Sequence, residues 1–172
     1  MNKLSAPVPV VSAILLRKER GETQVFLQTR WKPKTSPTYS GMIEIPAGAI
    51  DSYENIYDTL RREVKEETNL DIVTVIDDYR GDIITPGEKD KTFVFKPFIC
   101  QQVLETNNGL PWIGFVFVCE ARGEVKINES EARHPQWISI EKLEALLREK
   151  PKSIFPLQLP ALIYFVEKFT DY

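Results

Sequence analysis

Three glutamates, Glu63, Glu66 and Glu67, close a stretch whose apolar residues recur with a helical period. Ile56, Tyr57, Leu60 and Val64 share one face, so the spacing predicts an amphipathic helix over 54–67. At about 100° per residue, Glu63 and Glu67 lie within about 40° of each other, and Glu66 stands about 60° further round. The three carboxylates thus share one flank of the helix, at the margin of its apolar stripe. From Asp51 to Glu67 the acids Asp51, Glu54, Asp58, Glu63, Glu66 and Glu67 meet only Arg61, Arg62 and Lys65. That segment carries −3, as much as the whole chain.

Such an arrangement works against the helix. Like charges at i,i+4 cost roughly 0.2–0.5 kcal/mol, and carboxylates in the last turn oppose the macrodipole at roughly 0.3–1 kcal/mol each. Arg61 and Arg62 offset part of this, yet selection for folding alone would favour lysines there. One reading is a solvated charged face, the usual reason for an acidic helix. The other is a hard cation among the carboxylates, since Mg²⁺ or Mn²⁺ takes oxygen ligands and shares its shell with substrate phosphates. His134 is the single histidine, so a metal held by this chain must use oxygen ligands.

Composition bounds the rest. With 172 residues, 42% hydrophobic and 27% charged, the sequence reads as one soluble domain over 1–172. A net charge of −3 argues against nucleic-acid binding through a basic face. No apolar run approaches the roughly 18–20 residues of a membrane span. The run from Leu4 to Leu16 follows Lys3 as a leader would, but Pro7 and Pro9 interrupt it. Arg17-Lys18-Glu19-Arg20 then stands where a cleavage site needs small residues, so a buried strand is expected. Cys100 and Cys119 lie in apolar runs and form no C-x-x-C pair. They read as buried thiols of a reducing, cytoplasmic compartment.

Strand-like segments run from Val8 to Leu16 and from Gln24 to Thr29, turning at Gly21. A surface loop over Trp31–Gly41 follows, then a short strand ending in Pro46-Ala47-Gly48. After the acidic helix come Ile72–Tyr79, Thr92–Leu104 and Trp112–Glu120, the last two joined by the hairpin signal Asn107-Asn108-Gly109. Phe93–Ile99 reads as core. Helices are expected over Glu141–Glu149, stopped before Pro151, and from Pro160 onward.

From Gly48 the chain reads G-AIDSY-E-NIYDTLR-R-E-V-K-E-E-T-N-L. This resembles the Nudix box, G-x5-E-x7-R-E-U-x-E-E-x-G-U with U aliphatic. Gly48, Glu54, Arg62, Glu63, Val64, Glu66, Glu67 and Leu70 match at the required spacing; a chance match is on the order of one in 10⁸ per window. Asn69 replaces the final glycine. That position suits a left-handed C-cap, which Asn tolerates next best after Gly. Ile45-Pro46 before the box and Trp137-Ile138-Ser139 before an acidic helix add to the likeness.

The resemblance implies an α/β fold, a mixed β-sheet sandwiched between helices. It also implies metal-dependent hydrolysis of a nucleoside diphosphate linked to another group, by water attack at phosphorus. The implied metal ligands are Glu63, Glu66, Glu67 and the carbonyl of Gly48, with Mg²⁺ or Mn²⁺ as cofactor. Arg62 is expected to orient the glutamates, and Glu54 to pair with it or reach the metal through water. The general base is a box glutamate or a later loop acid, here Glu129 or Glu131. His134 is expected to be structural.

Pro86 follows Leu70 at a spacing that resembles the ADP-ribose-hydrolysing subgroup, though Thr85-Pro86-Gly87 is equally a turn. Trp31, Tyr39 and Trp112 could stack on a base or belong to core and rim. The Arg30–Lys34 segment could steer an anionic substrate. Against the hydrolase stands a nucleotide-binding, regulatory Nudix domain without turnover, and against both an acidic interaction module that binds no metal. Family members are often dimers, so a homodimer is one expected assembly, with the C-terminal helix as interface or as cap to the core.

Overall fold

Long apolar runs rich in β-branched and aromatic residues take the centre of the sheet. The computed structural model describes residues 6–107 and 111–169. In chain order the elements are β1 (Val8–Glu19), β2 (Glu22–Arg30), β3 (Ile43–Glu44), β4 (Ala47–Ala49), α1 (Ile56–Thr68), β5 (Asp71–Ile76), β6 (Tyr79–Arg80), β7 (Phe95–Lys96), β8 (Ile99–Gln102), β9 (Trp112–Arg122), β10 (Ala132–Ser139), α2 (Ile140–Glu149) and α3 (Leu159–Phe169). The main sheet is ordered β10-β2-β1-β9-β5, with β3 added to β2, β4 to β1 and β8 to β9. β1 and β9 run parallel and the other pairs in it antiparallel, so the sheet is mixed.

Alternation along β1 and β2 sends side chains to two cores. Val11, Ala13, Leu15 and Phe26 pack with Tyr57, Leu60 and Val64 of α1. Ile14, Leu16, Val25 and Leu27 pack with Leu143 and Leu147 of α2 and Leu162 and Phe165 of α3. The sheet therefore lies between helices, as the resemblance implied.

Three local expectations need correction. The Thr92–Leu104 run is split at Pro97, whose missing N–H cannot continue a ladder, and no residue of Phe93–Ile99 is fully buried; Val94 is 64% exposed. Cys100, on the resulting short strand β8, is exposed rather than buried, whereas Cys119 on central β9 is fully covered. The strand expected over Ile72–Tyr79 ends at Ile76, because Asp77 takes a φ of 50°. β8 and β9 pair as the hairpin signal implied, while Asn108 and Gly109 themselves, like Lys3 and Leu4, lie outside the described residues.

Two register facts assemble the site. β3 lies on β2 with Glu44 opposite Gln28, and β4 lies on β1 with Gly48 opposite Val11. Both bring the approach to α1 against β1 and the end of β2 that carries Gln28 and Arg30.

Candidate active site

The acidic helix is capped at both ends. Asn55 accepts a hydrogen bond from the Tyr57 N–H at 2.9 Å, as an N-cap should. At the other end Asn69 is left-handed (φ 63°, ψ 6°) and its N–H returns to the Lys65 carbonyl. Its side-chain amide also donates to the Glu124 carbonyl at 2.9 Å, a bond no glycine could make.

On the outer flank, Arg62 gathers the acids. Its Nε and Nη2 each donate to one Glu54 oxygen at 2.9 Å, a bidentate pair. Nη1 reaches Glu63 and, at 3.5 Å, Glu66, while Nη2 also points to the Ala49 carbonyl at 3.4 Å. The Arg62 bonds pull Glu54 down to about 2. Glu63 goes the other way: burial raises it, against the opposing pull of Arg62.

On the inner flank, Glu67 turns beneath the helix and is only 4% exposed. Gln28 Nε2 donates to its Oε2 at 2.7 Å. Glu44, also buried, is paired with Arg30 at 3.0 Å. Burial first, and then the charge of Glu44, push Glu67 up to about 8. Burial likewise raises Glu44 despite Arg30. Arg30 pairs with Glu44 and leaves Glu67 without an ion-pair partner among the described residues, so this pocket holds negative charge in excess when both ionise. Lys32 adds a weaker favourable charge to each and bonds Glu131 at 2.8 Å.

The sequence-predicted residues divide between these flanks. Gly48 and Glu63 meet directly: a Cβ at position 48 would lie 1.9–2.3 Å from the Glu63 carboxyl atoms. Glu66 faces solvent with 59% of its side chain exposed. Glu131 stands close enough for its charge to act on both Glu63 and Glu67, while Glu129 is exposed on the same turn. Among the described residues, no three such acids converge on a ready cation site. The shared flank read from helical angles is thus divided by tilt and burial, Glu67 inward and Glu66 outward.

The donor set nonetheless suits a hard cation. It is all oxygen: Gly48 leaves room for the Glu63 carboxyl, and one helical turn on stands the buried carboxylate of Glu67.

Other candidates lie apart. Tyr39 is buried, its ring 5.2 Å from Phe155, so it belongs to the core. Trp31 is covered by the Arg133 guanidinium at 3.6 Å, and the half-buried Trp112 folds over Gly114. His134 is exposed in the β10 bulge with φ 50°. Pro86 sits in an exposed bend between the bridged Ile84 and Thr92. Gln28 and Glu44 escaped the sequence reading. Their signal was present as single polar residues inside apolar strands, Phe26-Leu27-Gln28 and Ile43-Glu44-Ile45.

The family model of the NUDIX domain matches residues 6–158. Among solved structures, the MutT protein of Methanosarcina mazei Go1 superposes with a TM-score of 0.61 at 24% identity, over 98% of this chain and 97% of that one. The NUDIX domain of Shewanella oneidensis NrtR, complexed with ADP ribose, gives 0.63 at 13% identity over 96% and 90%. A C. elegans Ap4A hydrolase binary complex gives 0.56 at 16% over 96% and 99%. At these identities the likeness concerns the fold. No curated protein sequence matches.

Proposed function

The chain belongs to the Nudix hydrolase family, and from that premise we propose that it hydrolyses a diphosphate linkage in a nucleoside diphosphate derivative, using Mg²⁺ or Mn²⁺. The observation that carries this reading is the meeting of Glu63 with Gly48 beside the buried, under-compensated Glu67. Glu63, Glu66, Glu67 and the Gly48 carbonyl would hold the cation. When bound, it supplies charge neutralisation for the diphosphate and acidifies water.

The chain's own groups do the rest. Arg62 fixes Glu63 and Glu66 from outside and is itself clamped by Glu54. Glu131 is our candidate to take the proton of the attacking water, because its charge reaches Glu63 and Glu67; Glu129 is the second loop candidate. Lys32, which pairs with Glu131 at 2.8 Å, is our candidate to steer the substrate phosphate. The water oxygen bonds to phosphorus as the anhydride P–O bond breaks, leaving a nucleoside monophosphate and the phosphorylated remainder.

ADP-ribose or a related nucleotide is the substrate we favour. The spacing of Pro86 supports it, as does the ADP ribose bound by one structural neighbour. A cytoplasmic setting is consistent with two free cysteines, and a homodimer is the assembly we expect.

Product chromatography with Mg²⁺, and then Mn²⁺, tests the reading against nucleoside triphosphates, dinucleoside polyphosphates, nucleotide sugars and ADP-ribose. We expect cleavage of a diphosphate-linked nucleotide. Binding of such a nucleotide without turnover would replace the hydrolase by the regulatory domain.

A further inference from the structure

Gln28 is fully buried, with no exposed atom to offer a substrate. Its Nε2 donates to Glu67 Oε2 at 2.7 Å, across 39 residues of sequence, and the same side chain favours the ionised form of Glu44. The amide therefore turns its N–H side toward Glu67, with Glu44 opposite Gln28 on β3. Its other end suffers for this, because Gln28 Oε1 is buried and has no partner among the described residues. An unsatisfied buried acceptor is destabilising. An orientation chosen for packing alone would not leave that atom bare. The alternative flip would put a carbonyl oxygen against the ionised Glu67 carboxylate, which repels, so the ionised acid dictates the orientation.

A carboxylate oxygen tied by a neutral donor cannot swing, and the donor stabilises the charged form without cancelling its charge. Arg30 does not duplicate this role, since its guanidinium is spent on Glu44. We propose that Gln28 is the positioning residue for Glu67: it clamps one carboxylate oxygen and leaves the other to the cation. The inference rests on the metal-dependent reading above. Outer partners of metal ligands typically govern affinity by about 10–100-fold, so the effect belongs to metal binding more than to turnover.

The test is Mn²⁺ binding, followed by the loss of the free-ion paramagnetic resonance signal, in wild type and in Gln28→Met, a near-isostere without donors. We expect Gln28→Met to bind Mn²⁺ about tenfold or more weakly, with turnover restored by excess Mg²⁺. In a Glu67→Gln background, adding Gln28→Met should weaken binding no further, the mark of a shared pathway. Wild-type affinity in Gln28→Met overturns the inference, as does an additive double variant. Should Gln28→Met fail to fold, Gln28→Asn takes its place, since it keeps the amide but shortens its reach. Weakened Mn²⁺ binding at an unchanged melting temperature then supports the clamp, and wild-type binding makes Gln28 a packing residue. Absence of Mn²⁺ binding by wild type would instead refute the metal-dependent reading itself.

Discussion

The two flanks of α1 each carry more negative than positive charge and handle it in opposite ways. Outside, Arg62 faces Glu54, Glu63, Glu66 and the more distant Asp51, mostly within reach of water. High dielectric and mobile ions make that imbalance cheap. Inside, Glu44 and Glu67 lie in a buried pocket where Arg30 pairs with Glu44 alone, and neither solvent nor salt helps. The outer acids are drawn together by Arg62, whereas the inner pair, when both ionise, is left with a surplus charge that a cation would satisfy. Acid count alone therefore says little about where binding energy is stored; burial decides it.

The sharpest way to break this contrast is Glu67→Gln. If the cation depends on the inner carboxylate, turnover falls on the order of a hundredfold or more. Stability moves the other way. The folded state holds a proton on Glu67 up to about pH 8, whereas the unfolded chain releases it near 4.5. Metal-free stability therefore declines as pH rises between those values, with Glu63 and Glu44 adding shifts of the same sign. Glu67→Gln should flatten that slope and, at pH 8 in chelator, melt several degrees higher, at about 2–4 °C per kcal/mol for a chain this size. Thermal melts from pH 5 to 8 decide the matter; an unchanged slope would assign the surplus charge elsewhere.

How much of this was legible follows from which interactions are local. The helix, its stripe of Ile56, Tyr57, Leu60 and Val64, and the left-handed Asn69 are matters of residues four or fewer apart, and they stand as the periodicity implied. The Gln28–Glu67 bond spans the β2–β3 register and the docking of α1, which no local pattern encodes. The Phe93–Ile99 misreading has a similar origin. Hydrophobicity alone marks it as core; Phe93, Phe95, Phe98 and Ile99 do pack against the two cores, but Pro97 ends the ladder and none of the segment is fully buried.

A smaller effect is expected at the seam between the flanks. Gly48→Ala would set a methyl group where the Glu63 carboxyl now lies. The obstructed atoms end a flexible side chain, so the backbone holds and the melting temperature stays within about 3 °C. Glu63 must move, and the Mg²⁺ concentration for half-maximal turnover should rise about tenfold. A normal metal requirement would detach Glu63 from the cation and leave the inner flank to act alone.

The smallest effect is expected outside, at Glu54→Gln. Glu54 owes its depressed pKa, about 2, to the bidentate bonds from Arg62. A depressed carboxyl stabilises the fold above 4.5 and loses that contribution as pH falls toward about 2. Solvent screening keeps the contribution modest, so at neutral pH the melting temperature should fall by no more than about 2 °C, and less in high salt. The sign matters more than the size. Removing an outer acid costs stability because its countercharge is present, while removing the inner acid adds stability because its countercharge is missing. If both variants shifted the metal-free melt in the same direction, burial would not be what separates the flanks, and the surplus charge beneath α1 would no longer point to a cation.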